Sequence, residues 1–208
     1  SLVAATKGKP KGDIIQFQAQ TKDLTPELSK LASSPPDAII IASAYEAENL
    51  SIKQAREVGL KSDIIAGWDY PTLPGFWDVV GDAGVGVVYP TFYAAGKLPL
   101  TKTGKTLGNA FKKATGRTPV IYHYLLWDAL NAIKWAIEKT KSTSPGDLVK
   151  ALPSANYEGT TGTITFTNKR GTVLFHQWEG HVQFFKQFTK RGQTDAQAKV
   201  VFAARKTG

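Results

Sequence analysis

The sequence predicts an α/β protein whose first part is a doubly wound parallel sheet, and residues 37–70 carry that prediction. Residues 38–42 are an uninterrupted apolar run, which is typical of a parallel strand buried on both faces. From about Glu46, apolar residues recur at helical spacing, and Gly59 suits the end of such a helix. Residues 63–67 form a second apolar run. A strand, a helix and a strand in this order make the repeating unit of a parallel sheet.

The residues before this unit extend the same alternation. Apolar residues within 13–19 predict a strand. Thr25 followed by Pro26 predicts the start of a helix, with Thr25 as the N-cap and Pro26 at the first helical position. The Ser-Ser-Pro-Pro segment at 33–36 ends that helix. The first 70 residues are therefore predicted to fold as β-α-β-α-β.

The residues after 70 alternate less regularly. We expect the segment 121–140 to be largely enclosed, because apolar residues cover much of its circumference. The C-terminal remainder is basic and weakly patterned. In chain order, the predicted elements are a short helix at 72–81, a strand at 85–92, helices at 103–115, 121–140 and 147–152, strands at 162–166 and 173–178, and a strand at 182–188.

The candidate ligand-binding residues follow the two central strands. In open α/β sheets, ligands bind beyond the carboxyl ends of parallel strands. Asp69 is a single acid between two aromatic residues, so partial desolvation would favour its binding to a cation, and the aromatic rings would add cation–π attraction. The alternative is that Asp69 caps the next turn and that the aromatic residues belong to the core. The candidates at the two strand ends are Ser43, Ala44, Tyr45, Trp68, Asp69 and Tyr70.

The charge and composition limit which partners the protein could have. A formal charge of +9 suggests nucleic acid, but the basic residues are concentrated at 97–117 and in the tail, which is typical of solvated surfaces. We therefore expect no nucleic-acid partner. The sequence contains no cysteine, which excludes disulfides and thiolate metal sites. It also has no apolar run of the ~18 residues that a membrane-spanning helix needs.

Catalytic and cofactor motifs are not evident. Residues 103–106 (Thr-Gly-Lys-Thr) resemble the end of a phosphate-binding loop, but Pro99 stands where the first glycine is required. The histidines His123, His176 and His181 have no metal-binding spacing with acids, and no Ser/His/Asp set is visible. We expect no enzyme activity, no metal and no cofactor.

Several segments together resemble a known family. They are residues 38–43, the segment KQAREVGLK at 53–61, Gly81-Asp82-Ala83 followed by Gly86, Asp128-Ala129, and GTTGTITF at 159–166. In this order they are similar to the type I periplasmic solute-binding proteins, the branched-chain amino-acid receptors of ABC transporters. The resemblance covers nearly all of residues 13–188.

The resemblance implies a two-lobed protein with three strands crossing between lobes of similar fold. On this basis, residues 1–90 are the C-terminal lobe and 91–170 are the late segment of the N-terminal lobe. Residues 171–208 supply strands that return to the C-terminal lobe, followed by the basic tail. The family also has about a hundred earlier residues, together with the first strand and helix of the C-terminal lobe. We expect a missing N-terminal part or a companion chain to supply them.

The resemblance also implies a function. The protein would bind a small solute, an amino acid or an aromatic or amide relative, in the interlobe cleft and deliver it to an ABC permease. Asp69 would bind the ligand's ammonium group and Tyr45 would cover the ligand. The location would be periplasmic or extracellular, with a lipid anchor on the missing N-terminus as one form of attachment.

Two other classes stay open at this point. The first is a ligand-sensing regulatory domain of the same fold. The domains fused to the chain, or the proteins encoded beside it, would distinguish this class. The second is a cytosolic α/β enzyme of flavodoxin-like fold. That enzyme would need a nucleophile or a phosphate loop at a strand end, and the sequence shows neither.

Overall fold

The architecture was obtained as a computed structural model of the 208-residue chain. The structure describes residues 9, 11–12, 14–18, 20–43, 45–93, 100–171, 175–178 and 182–205. The statements below refer to these residues.

The first part of the chain alternates helices and strands, as the sequence predicts. Gly59, at a φ of 78°, follows the second helix and confirms the predicted stop. A single 3₁₀ turn at Tyr70–Thr72 lies between the second strand and the next helix, and another follows at Gly81–Gly84. The main elements are α1 (Thr25–Ser33), β1 (Ala38–Ile41), α2 (Tyr45–Glu57), β2 (Asp63–Ala66), α3 (Phe76–Val80) and β3 (Val88–Thr91).

The second part is mainly helical. The Thr101 hydroxyl caps the first of its helices by accepting a hydrogen bond from the Gly104 N–H at 3.1 Å. Gly116, at a φ of 71°, ends the same helix. The elements are α4 (Lys102–Thr115), α5 (Ile121–Thr140), α6 (Pro145–Ala151), β4 (Tyr157–Glu158), β5 (Thr163–Ile164), β6 (Val182–Gln187) and β7 (Lys199–Arg205).

The main sheet has five strands in the order β1-β2-β3-β6-β7. Strands β1 and β2 are parallel and in register from Ala38–Asp63 to Ile41–Ala66. Strands β2 and β3 are also parallel, with Ile65 opposite Val88. The mixed α/β class with a parallel-dominated sheet is therefore confirmed. Strands β4 and β5 form a separate antiparallel pair.

The chain divides into two compact units. The first, unit 1, comprises Ser1–Tyr89 and Gln187–Lys199, and the second, unit 2, comprises Pro90–Lys186 and Val200–Gly208. The chain passes from one unit to the other at three places, within β3, β6 and β7. The assignment of these units to family lobes, with the boundaries 1–90, 91–170 and 171–208, stays a prediction.

Unit 1 is organised around the face that α2 presents to the sheet. Ile52 and Ala55 of α2 are completely buried, as is Ile64 of β2. Val87 and Phe188 close the core at β3, where the Gly86 N–H donates to the Phe188 carbonyl at 2.8 Å. Burying each large apolar side chain stabilises the fold by ~1.5–3 kcal/mol. This layer therefore holds α2 against the strands of unit 1.

Three details near the start of unit 1 differ from the sequence predictions. Residues 14–18 form no strand, since no described strand pairs with them, and Ile14 is exposed. Strand β1 is buried on only one face: Ile40 faces a groove of about 860 Å³ that residues of α1 also line. Helix α1 begins at Thr25 with Leu24 as its N-cap, and Asp23 accepts the Thr25 N–H at 2.9 Å.

Two predictions for the second part were also wrong. Helix α5 is not enclosed, because only the face that carries Tyr124, Asp128 and Ala132 is buried, where the helix meets α6 and the segment 157–164. The exposed residues on its other side are Leu126, Trp127, Leu130 and Ile133. The C-terminal remainder, expected to be weakly patterned, contains strand β7, which includes the apolar segment VVFA at 200–203.

No helix in the described ranges combines the length and the apolar character needed to cross a membrane.

Candidate functional site

The ends of β1 and β2 lie side by side in unit 1. The Gly67 N–H donates to the Ile41 carbonyl at 2.7 Å. A Cβ atom at Gly67 would stand 2.8 Å from both the Cα of Ala42 and that carbonyl oxygen. Only glycine permits this approach, so Gly67 sets how closely the two strand ends can come together. The residues that follow each strand therefore belong to one edge of the sheet.

Asp69 is the nearly buried acid of this edge, with 8% of its surface exposed. It stands at the N-cap position of the turn Tyr70–Thr72, but its side chain makes no capping hydrogen bond. The turn is closed instead by the Asp69 backbone carbonyl, which accepts from the Thr72 hydroxyl at 2.7 Å. The capping alternative for the Asp69 carboxylate therefore does not hold.

The aromatic residues on either side of Asp69 are not core residues. Trp68 is 56% exposed and Tyr70 is partly exposed. Their ring centroids are 6.4 Å apart with an interplanar angle of 42°. An exposed indole beside a nearly buried carboxylate offers an apolar surface and a negative charge within one short segment. That combination suits a small ligand that carries both an apolar part and a cationic group.

The residues at the end of β1 are described less completely. Ser43 is partly buried at this edge. Tyr45 begins α2, but its side chain and the whole of Ala44 lie outside the described residues. The structure thus places Ser43, Trp68, Asp69 and Tyr70 at one sheet edge, and the roles of all six candidates stay predictions.

Sequence reasoning missed two buried polar residues under this edge. Glu48 and Asn49 of α2 have 0% and 1% of their surface exposed. The Glu48 Oε2 atom accepts a hydrogen bond from the Gly67 N–H at 3.2 Å. Burial raises the pKa of Glu48 to about 8, against the opposing effect of the Gly67 and Trp68 N–H groups. The available signal was spacing, because Glu48 precedes the buried Ile52 and Ala55 by four and seven residues.

Tyr89 of β3 also lies within unit 1 and is completely buried. Its hydroxyl donates to the Asp195 carboxylate at 2.9 Å, and its ring packs 4.9 Å from that of Phe188. Burial raises the pKa of Tyr89 well above its ordinary value, and the charges of Asp195 and Asp69 add to this effect. These contacts give Tyr89 a packing role.

Unit 2 contains a buried carboxylate of a different kind. Asp128 of α5 accepts the Thr160 N–H at 2.8 Å and the Thr160 hydroxyl at 2.6 Å. Burial raises the pKa of Asp128, and both hydrogen bonds from Thr160 oppose that rise. Two separate sequence segments singled out above, at 128–129 and 159–166, are thus joined by one carboxylate.

Metal binding finds no support in the described part of the chain. No group of three or more His, Asp or Glu residues there could hold a metal ion. The segment 103–106 lies within the first turn of α4, and its Thr103 hydroxyl donates to Glu158 at 2.7 Å. An acid beside this turn makes it unsuited to phosphate.

A protein-family comparison adds to this geometry. The family model described as "Periplasmic binding protein" matches residues 3–179, well over half of the chain. Comparison with curated proteins gives no significant match.

Solved structures share the fold. A leucine-binding protein from Thermotoga maritima is 21% identical, with a TM-score of 0.74 over 91% of this chain and 51% of its own. A leucine-, isoleucine-, valine-, threonine- and alanine-binding protein from Brucella ovis is 16% identical, with a TM-score of 0.74 over 98% and 52%. A solute-binding protein from R. palustris, in complex with benzoate, is 16% identical, with a TM-score of 0.71 over 97% and 52%. The chain therefore spans about half the length of these proteins.

Proposed function

Because the chain belongs to the periplasmic binding protein family, we propose that it is the solute-binding component of an ABC importer and acts outside the cytoplasm. Its ligand is a small solute, either an amino acid or a related carboxylate, held in a cleft between two lobes. One structural neighbour is a leucine-binding protein, and another is an ABC-transporter solute-binding protein in complex with benzoate. A membrane permease is the partner that receives the solute.

The observation that supports this proposal most is the state of Asp69. A nearly buried carboxylate that does not cap its own turn lies at the carboxyl end of a parallel strand. Such strand ends are where open α/β sheets bind ligands. Low solvent exposure weakens competition from water, so an ammonium group would bind there more strongly than at the surface. The exposed Trp68 supplies the neighbouring apolar contact.

The first test is a titration of the intact protein with L-leucine, L-phenylalanine and benzoate. Binding is detected by calorimetry and by tryptophan fluorescence. We expect one of these probes to bind and to change the emission of Trp68. The Trp68→Phe variant should lose that change. Trp135→Phe, which alters a partly buried tryptophan of α5 in unit 2, is the matched control and should keep it.

Two results would contradict the proposal. The first is that none of the three probes binds the wild-type protein. The second is that the fluorescence change survives in Trp68→Phe and disappears in Trp135→Phe, which would place the ligand away from the β2 end.

We also propose that further polypeptide, either an N-terminal part or a companion chain, covers the outer face of α5. The neighbours are about twice as long as the matched region. On α5, Leu126 is 62% exposed and Leu130 is 56% exposed, and Ile133 continues the same apolar face. Monomeric soluble proteins rarely leave such contiguous patches uncovered.

Sedimentation of residues 1–208 expressed alone tests this second proposal. We expect the isolated segment to self-associate, and Leu126→Lys with Leu130→Lys to reduce that association. The matched control is Lys134→Gln, an exposed and non-apolar position of the same helix. A compact wild-type monomer with cooperative melting would show that α5 needs no covering polypeptide.

A further inference from the structure

We propose that Glu48 is a positioning residue for the strand end that carries Trp68 and Asp69. The inference rests on the proposed function, because it assigns Glu48 a part in the same site. Glu48 itself does not touch the ligand. Its carboxyl group belongs to α2 and fixes the backbone that carries the two proposed ligand-contacting side chains, those of Trp68 and Asp69.

The contacts of Glu48 connect α2 to this backbone. Its Oε2 atom accepts the Gly67 N–H at 3.2 Å, and the neighbouring Trp68 N–H lowers the pKa of the same carboxyl. Gly67 is also the residue whose N–H bonds to the end of β1. One carboxyl therefore meets the backbone where β1, β2 and the Trp68–Asp69 segment converge.

Fold stability alone does not explain a carboxyl at this position. Glu48 is completely buried, and its Oε1 atom has no hydrogen-bond partner among the described residues. The two positions that follow on the same face of α2, Ile52 and Ala55, are apolar and equally buried. An unsatisfied buried polar atom is costly, and an apolar side chain of similar shape avoids that cost. What Glu48 adds is a fixed acceptor for the Gly67 N–H at the end of β2.

The charge around Glu48 suits this role. Asp69 is the neighbouring acid, and its negative charge adds to the effect of burial in raising the pKa of Glu48 to about 8. At pH 7 the Glu48 carboxyl is therefore mainly protonated, so it accepts hydrogen bonds without adding a second negative charge beside Asp69. On the neighbouring strand β3, the charges of Asp195 and Asp69 both raise the pKa of Tyr89, after the larger effect of burial.

The test uses the intact protein and two variants. Glu48→Met keeps the shape and removes the acceptor, whereas Glu48→Gln keeps an acceptor oxygen without a titratable proton. Amide hydrogen exchange at Gly67 and Trp68 reports directly whether Glu48 braces the backbone at these residues. Calorimetry with L-leucine, L-phenylalanine and benzoate reports the site. Glu46→Gln, at an exposed position in the first turn of the same helix, is the matched control.

We expect Glu48→Met to accelerate exchange at Gly67, whose N–H then keeps only its bond to the Ile41 carbonyl, and to weaken probe binding at least fivefold, while its melting temperature is maintained or raised. Glu48→Gln should restore slow exchange and binding. If Glu48→Met does not fold, pH supplies the test: wild-type affinity for L-leucine should change between pH 7 and 9 as Glu48 ionises, whereas that of Glu48→Gln should change much less.

Three results separate the possible failures. Unchanged exchange in Glu48→Met, or identical pH profiles in wild type and Glu48→Gln, would overturn the positioning role. Faster exchange with unchanged affinity would also overturn it, because Glu48 would then be only a structural brace. Faster exchange in a protein whose wild type binds no probe would support the brace and overturn the proposed function.

Discussion

Two of the buried carboxyl groups among the described residues, Glu48 in unit 1 and Asp128 in unit 2, differ in how completely they are satisfied. Asp128 uses both oxygens to accept hydrogen bonds from Thr160. Glu48 uses one oxygen toward Gly67 and leaves Oε1 unpaired within the described residues. The first arrangement joins a helix to a loop. The second, beside an exposed tryptophan, adds a cost that folding alone does not require.

This difference in hydrogen bonding indicates where a functional site is to be expected in this fold. Buried polar groups that are fully paired hold a structure together, whereas incompletely paired ones cluster at sites that bind or react. By that criterion the 128–160 region is structural. We propose that the edge formed by the β1 and β2 ends is the functional region, because it brings together Glu48, Asp69 and Trp68.

The largest expected effect comes from removing the satisfied carboxylate. Asp128→Ala leaves the Thr160 N–H and hydroxyl without their acceptor in a buried environment. Each unsatisfied group costs ~1–3 kcal/mol, so we expect unfolding free energy to fall by about 2–4 kcal/mol. Denaturant unfolding measures it, and ligand affinity at 25 °C should stay within about twofold of wild type.

The comparison supplies its own control. Thr160→Val removes one donor and leaves the Asp128 carboxylate with the backbone N–H, so its loss of stability should be smaller than that of Asp128→Ala. Equal stability of Asp128→Ala and wild type would mean that the 128–160 contact does not hold unit 2 together. The proposal that Asp128 is a structural carboxylate, in contrast to Glu48, would then be wrong.

The dependence of stability on pH should report the ionisation of Glu48. For Glu48 the folded-state pKa of about 8 lies above the ordinary value of 4.5. The unfolded chain therefore binds fewer protons than the folded one between these values, and the contribution of Glu48 to stability falls as pH rises through this window. This dependence is the physical basis of the pH comparison proposed above for Glu48→Gln.

Much of the fold could be predicted because its signals are local. The apolar runs at β1 and β2, the glycine stop at Gly59 and the length of α5 all follow from the periodicity of neighbouring residues. The strand-end rule likewise selected Trp68 and Asp69 without knowledge of the tertiary structure. Both residues do lie at the edge where the rule expects a ligand.

The errors arose where partners distant in the sequence decide the outcome. Residues 14–18 have strand-like composition, but no described strand pairs with them. The burial of α5 depends on which face meets α6 and the 157–164 segment. That face carries Tyr124, Asp128 and Ala132, whereas Leu126 and Leu130 lie outside it. The burial of Glu48 depends on its hydrogen bond to Gly67, which spans 19 residues and leaves no local signal in the sequence. Tertiary packing overrode local preference in each case.

The measurement that tests the central claim most directly is a calorimetric cycle. It combines wild type and Asp69→Asn with L-leucine and 4-methylpentanoate, the same molecule without its ammonium group. If Asp69 holds that group, Asp69→Asn should weaken leucine binding at least tenfold, about 1.4 kcal/mol, and leave 4-methylpentanoate binding nearly unchanged. Asp78→Asn, at an exposed position of α3, should alter neither. Equal losses for both ligands, or none for leucine, would contradict the assignment of Asp69 to the ligand.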